Sequence, residues 1–369
     1  MARIAHSAAR LPGTTMERVM EPRIDDLRIK QTRPLIQPAI LTEEIVRLPH
    51  HSDRVLAARE AIANVIAGQD NRLLCIVGPC SIHDVESGLA YAQELVRLHD
   101  KFSDDLLIVM RAYFEKPRTV GGWKGLINDP DLDGSHKINK GLRLARTFLR
   151  DVVELGLPAA TEFLDTTVPQ HISDFISWGA IGARTVESQT HRELASGLSM
   201  PIGFKNATDG RVQPAIDGVL AAARSHWFPS TTKDGVAALS QTTGNESCHI
   251  ILRGGESGPN FGADSINTAC QKLAVAGLRP SVMVDCSHGN SLKDHTRQAV
   301  VAETLAGQLQ SQKSQILGIM LESNLVAGKQ EVEEGAPLAF GQSITDSCID
   351  LRETELILEK LAMAVHATV

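Results

Sequence analysis

L-C-I-V-G-P-C (74–80) is a short β-rich run that closes on a thiol instead of on a polar turn. Seven further runs have the same habit: 107–111 closes on Arg111, 158–162 on Glu162, 180–184 on Arg184, 202–205 on Lys205, 250–253 on Arg253, 282–288 on His288 and 316–322 on Glu322. Most are followed by a stretch with apolar residues at three- and four-residue spacing, as at 84–101, 140–155, 213–225, 265–277, 293–310 and 352–366. Strand and helix alternating eight times predict an α/β architecture, a (β/α)8 TIM barrel. In that fold the strand C-termini and the loops after them form one face, so chemistry-bearing residues far apart in sequence are expected to share a pocket.

The composition agrees. The chain has 369 residues, 43% hydrophobic and 22% charged, with a formal net charge of −7. A barrel uses ~250 of them, which leaves room for an N-terminal arm and insertions. An acidic chain with no Lys/Arg-rich block lacks the field that nucleic acid attracts, so no nucleic-acid partner is expected. No apolar run reaches the ~20 residues of a membrane span. Cys75, Cys80, Cys248, Cys270, Cys286 and Cys348 are scattered, as in a reduced cytoplasmic protein and unlike a disulfide framework. Arg3, Arg10 and Arg18 against the single acid Glu17 give the first twenty residues a faint transit-peptide composition, but with no apolar core they read as a plain N-terminus.

Residues 1–50 are expected to form an arm for regulation or assembly, because the Pro-broken apolar segments of 25–50 cannot bury their own side chains. Residues 51–369 are expected to form the catalytic barrel. Two intervals between strand ends are long, 111–162 and 205–253. The first holds a Gly/Pro-rich loop, 114–135, on the catalytic side. The second holds 227–245, where Asp234-Gly235 predicts a β-hairpin that follows a helix and so lies away from the chemistry.

Two constellations carry chemistry. Cys80, His288, Glu322 and Asp346 fall at or just beyond the ends of the first, seventh and eighth strands, which adjoin once a barrel closes. A thiolate, an imidazole and two carboxylates suit Mn(II), Fe(II), Co(II) or Zn(II) better than Ca(II). On the residues alone the plainer alternative stays open, with Cys80 a small buried hydrophobe, His288 an acid/base group and the acids caps or ion-pair partners. Arg111, Arg184, Lys205 and Arg253 each close a strand, and Lys116 and Arg118 follow in the long loop. So many cations at one barrel face require anions, and phosphate with carboxylate would supply them.

The motifs G-P-C-S-I-H-D, R-A-Y-F-E-K-P-R-T, G-W-K-G-L-I-N-D-P, G-A-I-G-A-R-T-V-E-S-Q, H-I-I-L-R-G-G, D-C-S-H-G-N-S and S-I-T-D-S-C-I-D resemble 3-deoxy-D-arabino-heptulosonate 7-phosphate (DAHP) synthase, the microbial type I feedback-regulated group. The resemblance covers residues 25–366. It implies condensation of phosphoenolpyruvate with D-erythrose 4-phosphate and water, the first step of the shikimate pathway. It also implies that Cys80, His288, Glu322 and Asp346 bind a divalent metal. Arg111, the Ala183 backbone, Arg184, Lys205 and Arg253 would hold phosphoenolpyruvate, and Lys116, Arg118, Thr119 and Asp346 the erythrose 4-phosphate. Lys116, Glu162, Lys205, His288 and Asp346 are the implied catalytic groups. Thr161 and Ala207 stand where the family usually has Gly. An octulosonate-phosphate synthase of the same fold and a Schiff-base aldolase with Lys205 as nucleophile are the rival readings.

The resemblance further implies a homotetramer and an aromatic amino acid effector, held by residues matching Asp25, Asp26, Pro169, Gln170, Leu198, Ser199, Phe228 and Ser230. Phenylalanine is the expected effector, since Ser at position 230 leaves no room for a phenolic hydroxyl, although Thr166 departs from the usual Met.

Overall fold

The computed structural model describes residues 24–312, 315–333 and 335–367. They fall into two units that part after Leu35. In the first, Ile24, Leu27, Ile29 and Leu35 are exposed, and a turn at Asp26 (φ 52°) is closed by the Ile29 N–H donating to the Asp26 carbonyl. The expected arm boundary at 50 is thus not where the contacts divide. Residues 1–23 of that arm lie outside the described ones.

The second unit is the barrel. Its strands are β1 (Leu73–Gly78), β2 (Leu106–Arg111), β3 (Ala159–Glu162), β4 (Trp178–Ile181), β5 (Ile202–Lys205), β8 (Cys248–Leu252), β9 (Val282–Asp285) and β10 (Ile316–Glu322), all parallel and closed by the pairing of β1 with β10. Between β5 and β8 the chain inserts the hairpin β6 (Trp227–Thr231) and β7 (Ala237–Gln241), and beyond β10 come the short paired strands β11 (Val326–Lys329) and β12 (Gln342–Ser343). The helices are α1 (Pro38–Glu44), α2 (Pro49–Ala67), α3 (Val85–Lys101), α4 (Ile138–Glu154), α5 (Pro169–Ile172), α6 (Gln189–Gly197), α7 (Gln213–Ala222), α8 (Ala263–Val275), α9 (Arg297–Gln312) and α10 (Leu351–His366).

Strand side chains alternate between two cores. Leu74, Ile76, Leu107, Val109, Trp178, Ile251, Met283 and Met320 fill the barrel interior, while Cys75, Val77, Ile108, Met110, Phe204, Val284 and Ile319 face the helices. Ile62 and Val65 of α2 belong to the interior cluster, so this helix closes the N-terminal mouth and leaves the C-terminal mouth for chemistry. Truncating the fully buried Ile62 to Ala would cost about 2–5 kcal/mol.

Several boundaries differ from the expectation. The strands expected to reach Cys80, Arg184, Arg253 and His288 stop at Gly78, Ile181, Leu252 and Asp285, so these four residues sit in the following loops. The run expected at 180–184 begins at Trp178, whose indole fills the interior. The helix expected from 293 starts at Arg297, because Leu292 and Lys293 adopt left-handed φ of 55° and 63°. Helix α6, whose residues are mostly polar, was not foreseen.

Candidate active site

A cavity of about 330 Å3 opens at the C-terminal ends of the strands, lined among others by Arg111, Lys116, Arg118, Glu162, Ala183, Arg184, Lys205, Arg253, His288, Glu322 and Asp346. Cys80 lies just behind this lining. It is fully buried, with Sγ 3.5 Å from Asp346 Oδ2. Thr119 is exposed in the 114–135 loop and does not line the cavity.

Cys80, Glu322 and Asp346 each offer a ligand atom within 4.8 Å of the others. His288 completes the expected set from the side, with Nε2 3.8 Å from Glu322 Oε1. One sulfur and two carboxylates within 4.8 Å of one another, with an imidazole nitrogen beside Glu322 and Glu322 itself 1% exposed, fit a divalent ion of mixed softness. Burial and the charge of Glu322 push the Cys80 thiol up to about 11 against the opposing charge of Lys116. Burial would raise Asp346, but Lys116 and His288 hold its carboxyl below the ordinary value. Glu322 is fixed at its backbone, which exchanges hydrogen bonds of 2.9 and 3.0 Å with the Gln298 side-chain amide.

His288 has φ 54°, an uncommon conformation for a residue with a Cβ and one that structures retain mainly at functional sites. Its Nδ1 lies 2.9 Å from Asp285 Oδ2, and the same oxygen accepts from Lys205 Nζ at 3.1 Å. Burial would raise the Asp285 carboxyl, but the charges of His288 and Lys205 hold it well below the usual carboxylate range. Asp285 was absent from the expected site, although it stands three residues before His288 in D-C-S-H.

The cations fall into two groups. Arg111 and Lys116 are buried and already engaged. Arg111 lies 3.6 Å over the Tyr113 ring and donates to Glu322 Oε1 (2.9 Å) and to the carbonyls of Pro79 and Cys80, while Lys116 Nζ lies 3.1 Å from Cys80 Sγ and 3.2 Å from its carbonyl. Arg184 and Arg253 line the same cavity, hydrogen-bond to no carboxylate among the described residues, and interact with each other. Burial lowers the pKa of Arg253, Asp285 opposes this, and the charge of Arg184 lowers it further, so two cations stand close enough to repel. An anion between them would relieve both. Three asparagines brace this wall: Asn206 Oδ1 accepts from Arg253 N (2.8 Å) and from Asn260 Nδ2, and Asn290 Nδ2 donates to the Leu252 and Asp285 carbonyls. Gly254, at φ 70°, packs so near Gly289 that a Cβ would lie 2.5 Å from its carbonyl carbon. Gly182 gives Glu162 similar room, since a Cβ there would sit 2.3 Å from Glu162 Oε1.

Glu115, adjoining Lys116, also escaped the sequence reading. Burial, with the Asp165 charge adding to it, pushes its carboxyl up to about 8. Lys293, His295 and Lys329 line the cavity as well. They lie between or beyond the strand ends, where no pattern marked them.

Pro169, Gln170, Leu198, Ser199, Phe228 and Ser230 line a separate, larger cavity of about 1220 Å3, bounded by the hairpin, α6 and the 166–170 turn. Phe228, Ser230 and Ser240 face it, with the two serine hydroxyls hydrogen-bonded. Lys233 ties the hairpin tip down by donating to the Gln170 carbonyl at 2.6 Å.

The sequence description of the DAHP synthetase I family matches residues 46–359. The chain belongs to the DAHP synthetase I family. An Escherichia coli K12 member of the phospho-2-dehydro-3-deoxyheptonate aldolases, named Phe-sensitive, is 51% identical over 343 residues, 93% of this chain and 98% of the relative. A Trp-sensitive aldolase of Enterobacter agglomerans is 51% identical over 341 residues, 92% of this chain and 98% of the relative. The solved aldolase of Francisella tularensis SCHU S4 superposes with a TM-score of 0.91 at 52% identity, covering 92% of this chain and 99% of that one. Family membership accounts for a barrel whose catalytic mouth is this densely charged.

Among the described residues a second donor cluster, His50, His51 and Glu154, lies at the start of α2. His51 Nδ1 accepts from the Leu48 N–H, so the proton is on Nε2, which donates to Glu154 at 2.6 Å. No lone pair of His51 is left for a metal. This cluster caps a helix.

Proposed function

We propose that the chain condenses phosphoenolpyruvate with D-erythrose 4-phosphate and water, giving DAHP and inorganic phosphate, the entry step to the aromatic amino acids. The observation that carries this reading is the meeting of three clustered donors, Cys80, Glu322 and Asp346, with His288 beside Glu322 and the pair Arg184 and Arg253 lining the same cavity. A divalent ion held by Cys80, His288, Glu322 and Asp346, with Mn(II), Fe(II), Co(II) and Zn(II) as the candidates, supplies Lewis acidity toward the aldehyde oxygen.

The remaining work falls to side chains. Arg184, Arg253 and the Ala183 backbone receive the phosphoenolpyruvate phosphate. Arg111 and Lys205 face its carboxylate. Lys116 and Arg118 orient erythrose 4-phosphate, with Thr119 joining them by resemblance alone, so that carbon 3 of phosphoenolpyruvate meets the aldehyde carbon and the carbonyl electron pair moves to oxygen. Water then adds to carbon 2, and its carbon–oxygen bond to phosphate breaks. Glu162, Lys205, His288 and Asp346 are the groups placed to take the proton from water and deliver one to the new alkoxide.

For regulation, the 1220 Å3 cavity is proposed as the effector site, with phenylalanine as the ligand. Asp25 and Asp26 join it by resemblance alone. The outward hairpin face exposes Trp227 (60%) and Leu239 (66%), which supports a homo-oligomer, proposed as a tetramer. No helix of the described residues is long and apolar enough to cross a membrane, and the free thiols support the cytoplasm as its location.

One assay tests the reading: purified protein with both substrates, with and without EDTA, and with each aromatic amino acid. Preference for arabinose 5-phosphate would point to an octulosonate-phosphate synthase. EDTA-insensitive turnover trapped by borohydride would point to a Schiff-base aldolase at Lys205.

A further inference from the structure

Asp285 is fully buried and receives four donors. Its Oδ2 faces His288 Nδ1 (2.9 Å) and Lys205 Nζ (3.1 Å), and its Oδ1 accepts from the Ser287 N–H (3.0 Å) and the Ser287 hydroxyl (2.6 Å). The proton positions follow from counting. Ser287 has one hydroxyl proton, and the carboxylate takes it. The Ser287 oxygen, 2.7 Å from His288 Nδ1, is therefore an acceptor toward the ring. Both neighbours of Nδ1 are acceptors, so Nδ1 carries the imidazole proton and Nε2 keeps its lone pair. Nε2 is the nitrogen that looks toward Glu322.

We propose that Asp285 is a positioning residue that sets the His288 tautomer for metal binding and, through the same oxygen, places the Lys205 ammonium in the substrate cavity. This rests on the metal reading given above. The metal ligand and the substrate cation are thereby held in register by one group, and neither can shift without straining the other. An amide cannot substitute. With its NH2 on the Oδ2 side, Asn would face the Lys205 ammonium and push the proton of His288 onto Nε2. With the NH2 on the Oδ1 side it would face the Ser287 N–H and displace the hydroxyl proton toward Nδ1, where it competes with the ring's own proton, and the uncharged oxygen left on the Oδ2 side holds Lys205 and His288 more weakly.

The test uses full-length protein. Mn(II) titration followed by electron paramagnetic resonance should show Asp285→Asn binding about 10- to 100-fold more weakly than wild type, the range for lost outer partners of metal-bound histidine. The KM for phosphoenolpyruvate should rise in the same variant at saturating Mn(II), because Lys205 is displaced. Unchanged Mn(II) affinity in a folded Asp285→Asn protein would overturn the proposal. Should that variant not fold, histidine 15N spectra of metal-free wild type decide the matter, with His288 assigned by its loss in His288→Gln. A ring protonated at Nδ1 is expected, and protonation at Nε2 overturns it. Wild type that binds no Mn(II) would instead sink the metal reading itself.

Discussion

The thiol of Cys80 and the carboxylate of Asp346 approach to 3.5 Å although 266 residues separate them in the chain. β1 and β10 pair edge to edge, and the loops that follow them cross over the same point. Two groups that burial alone would keep neutral are thereby pressed together, an arrangement that a shared cation rewards.

Removing one donor should therefore disable the site. Cys80→Ala and His288→Ala are each expected to lower turnover by more than the ~10- to 100-fold typical of outer-partner losses. EDTA should inactivate the wild type, with Mn(II) restoring it. Full turnover by verified metal-free protein in a coupled phosphate-release assay would refute the assignment.

Lys116 and Arg184 serve different anions. Arg184→Ala should raise the KM for phosphoenolpyruvate about 10- to 150-fold, equivalent to the ~1.5–3 kcal/mol of a charged hydrogen bond. Lys116→Ala should raise the KM for erythrose 4-phosphate and also lower kcat, since its ammonium lies 3.1 Å from Cys80 Sγ. Steady-state kinetics with each substrate varied in turn separates the two. Equal effects on the same substrate would show that the pocket is divided differently.

Deleting residues 1–35, whose described part, 24–35, belongs to a contact unit separate from the barrel, should leave turnover largely intact and abolish inhibition by phenylalanine. A coupling free energy needs the effector site, whereas chemistry in the barrel mouth does not. Inhibition curves before and after truncation give the answer, and an active truncated enzyme inhibited as strongly as before places regulation elsewhere.

Glu115 predicts a pH dependence of stability. Burial, aided by the Asp165 charge, pushes its carboxyl to about 8 from an ordinary 4.5. The folded state therefore holds a proton that the unfolded chain has released, and stability falls as pH rises from 4.5 to 8. The full loss amounts to roughly 3–5 kcal/mol above that window. Glu115→Gln does not titrate. Its Tm relative to wild type should climb between pH 5 and pH 9, and a gap that stays constant in thermal melts over that range would show that Glu115 keeps no proton.

Strand order and the catalytic face were legible in the chain because each barrel strand is a short apolar run whose terminal residues break the pattern. Arg111, Glu162, Lys205 and Glu322 end their strands as read, and Cys80 and His288 follow theirs by a few residues. Turn chemistry also marked the hairpin through Asp234-Gly235, where Gly235 adopts φ 72°. These are local properties, set by backbone sterics and by which side chains water excludes. Partnership is not local. That Arg111 pairs with Glu322, that Arg184 and Arg253 stand close enough to repel, that Asp285 serves both His288 and Lys205, and that Glu115 is buried beside Asp165 depend on loops from different strands closing on one another. Residue type set what each group could do. Only barrel closure, which fixes distance and excludes water, decided which charge met which.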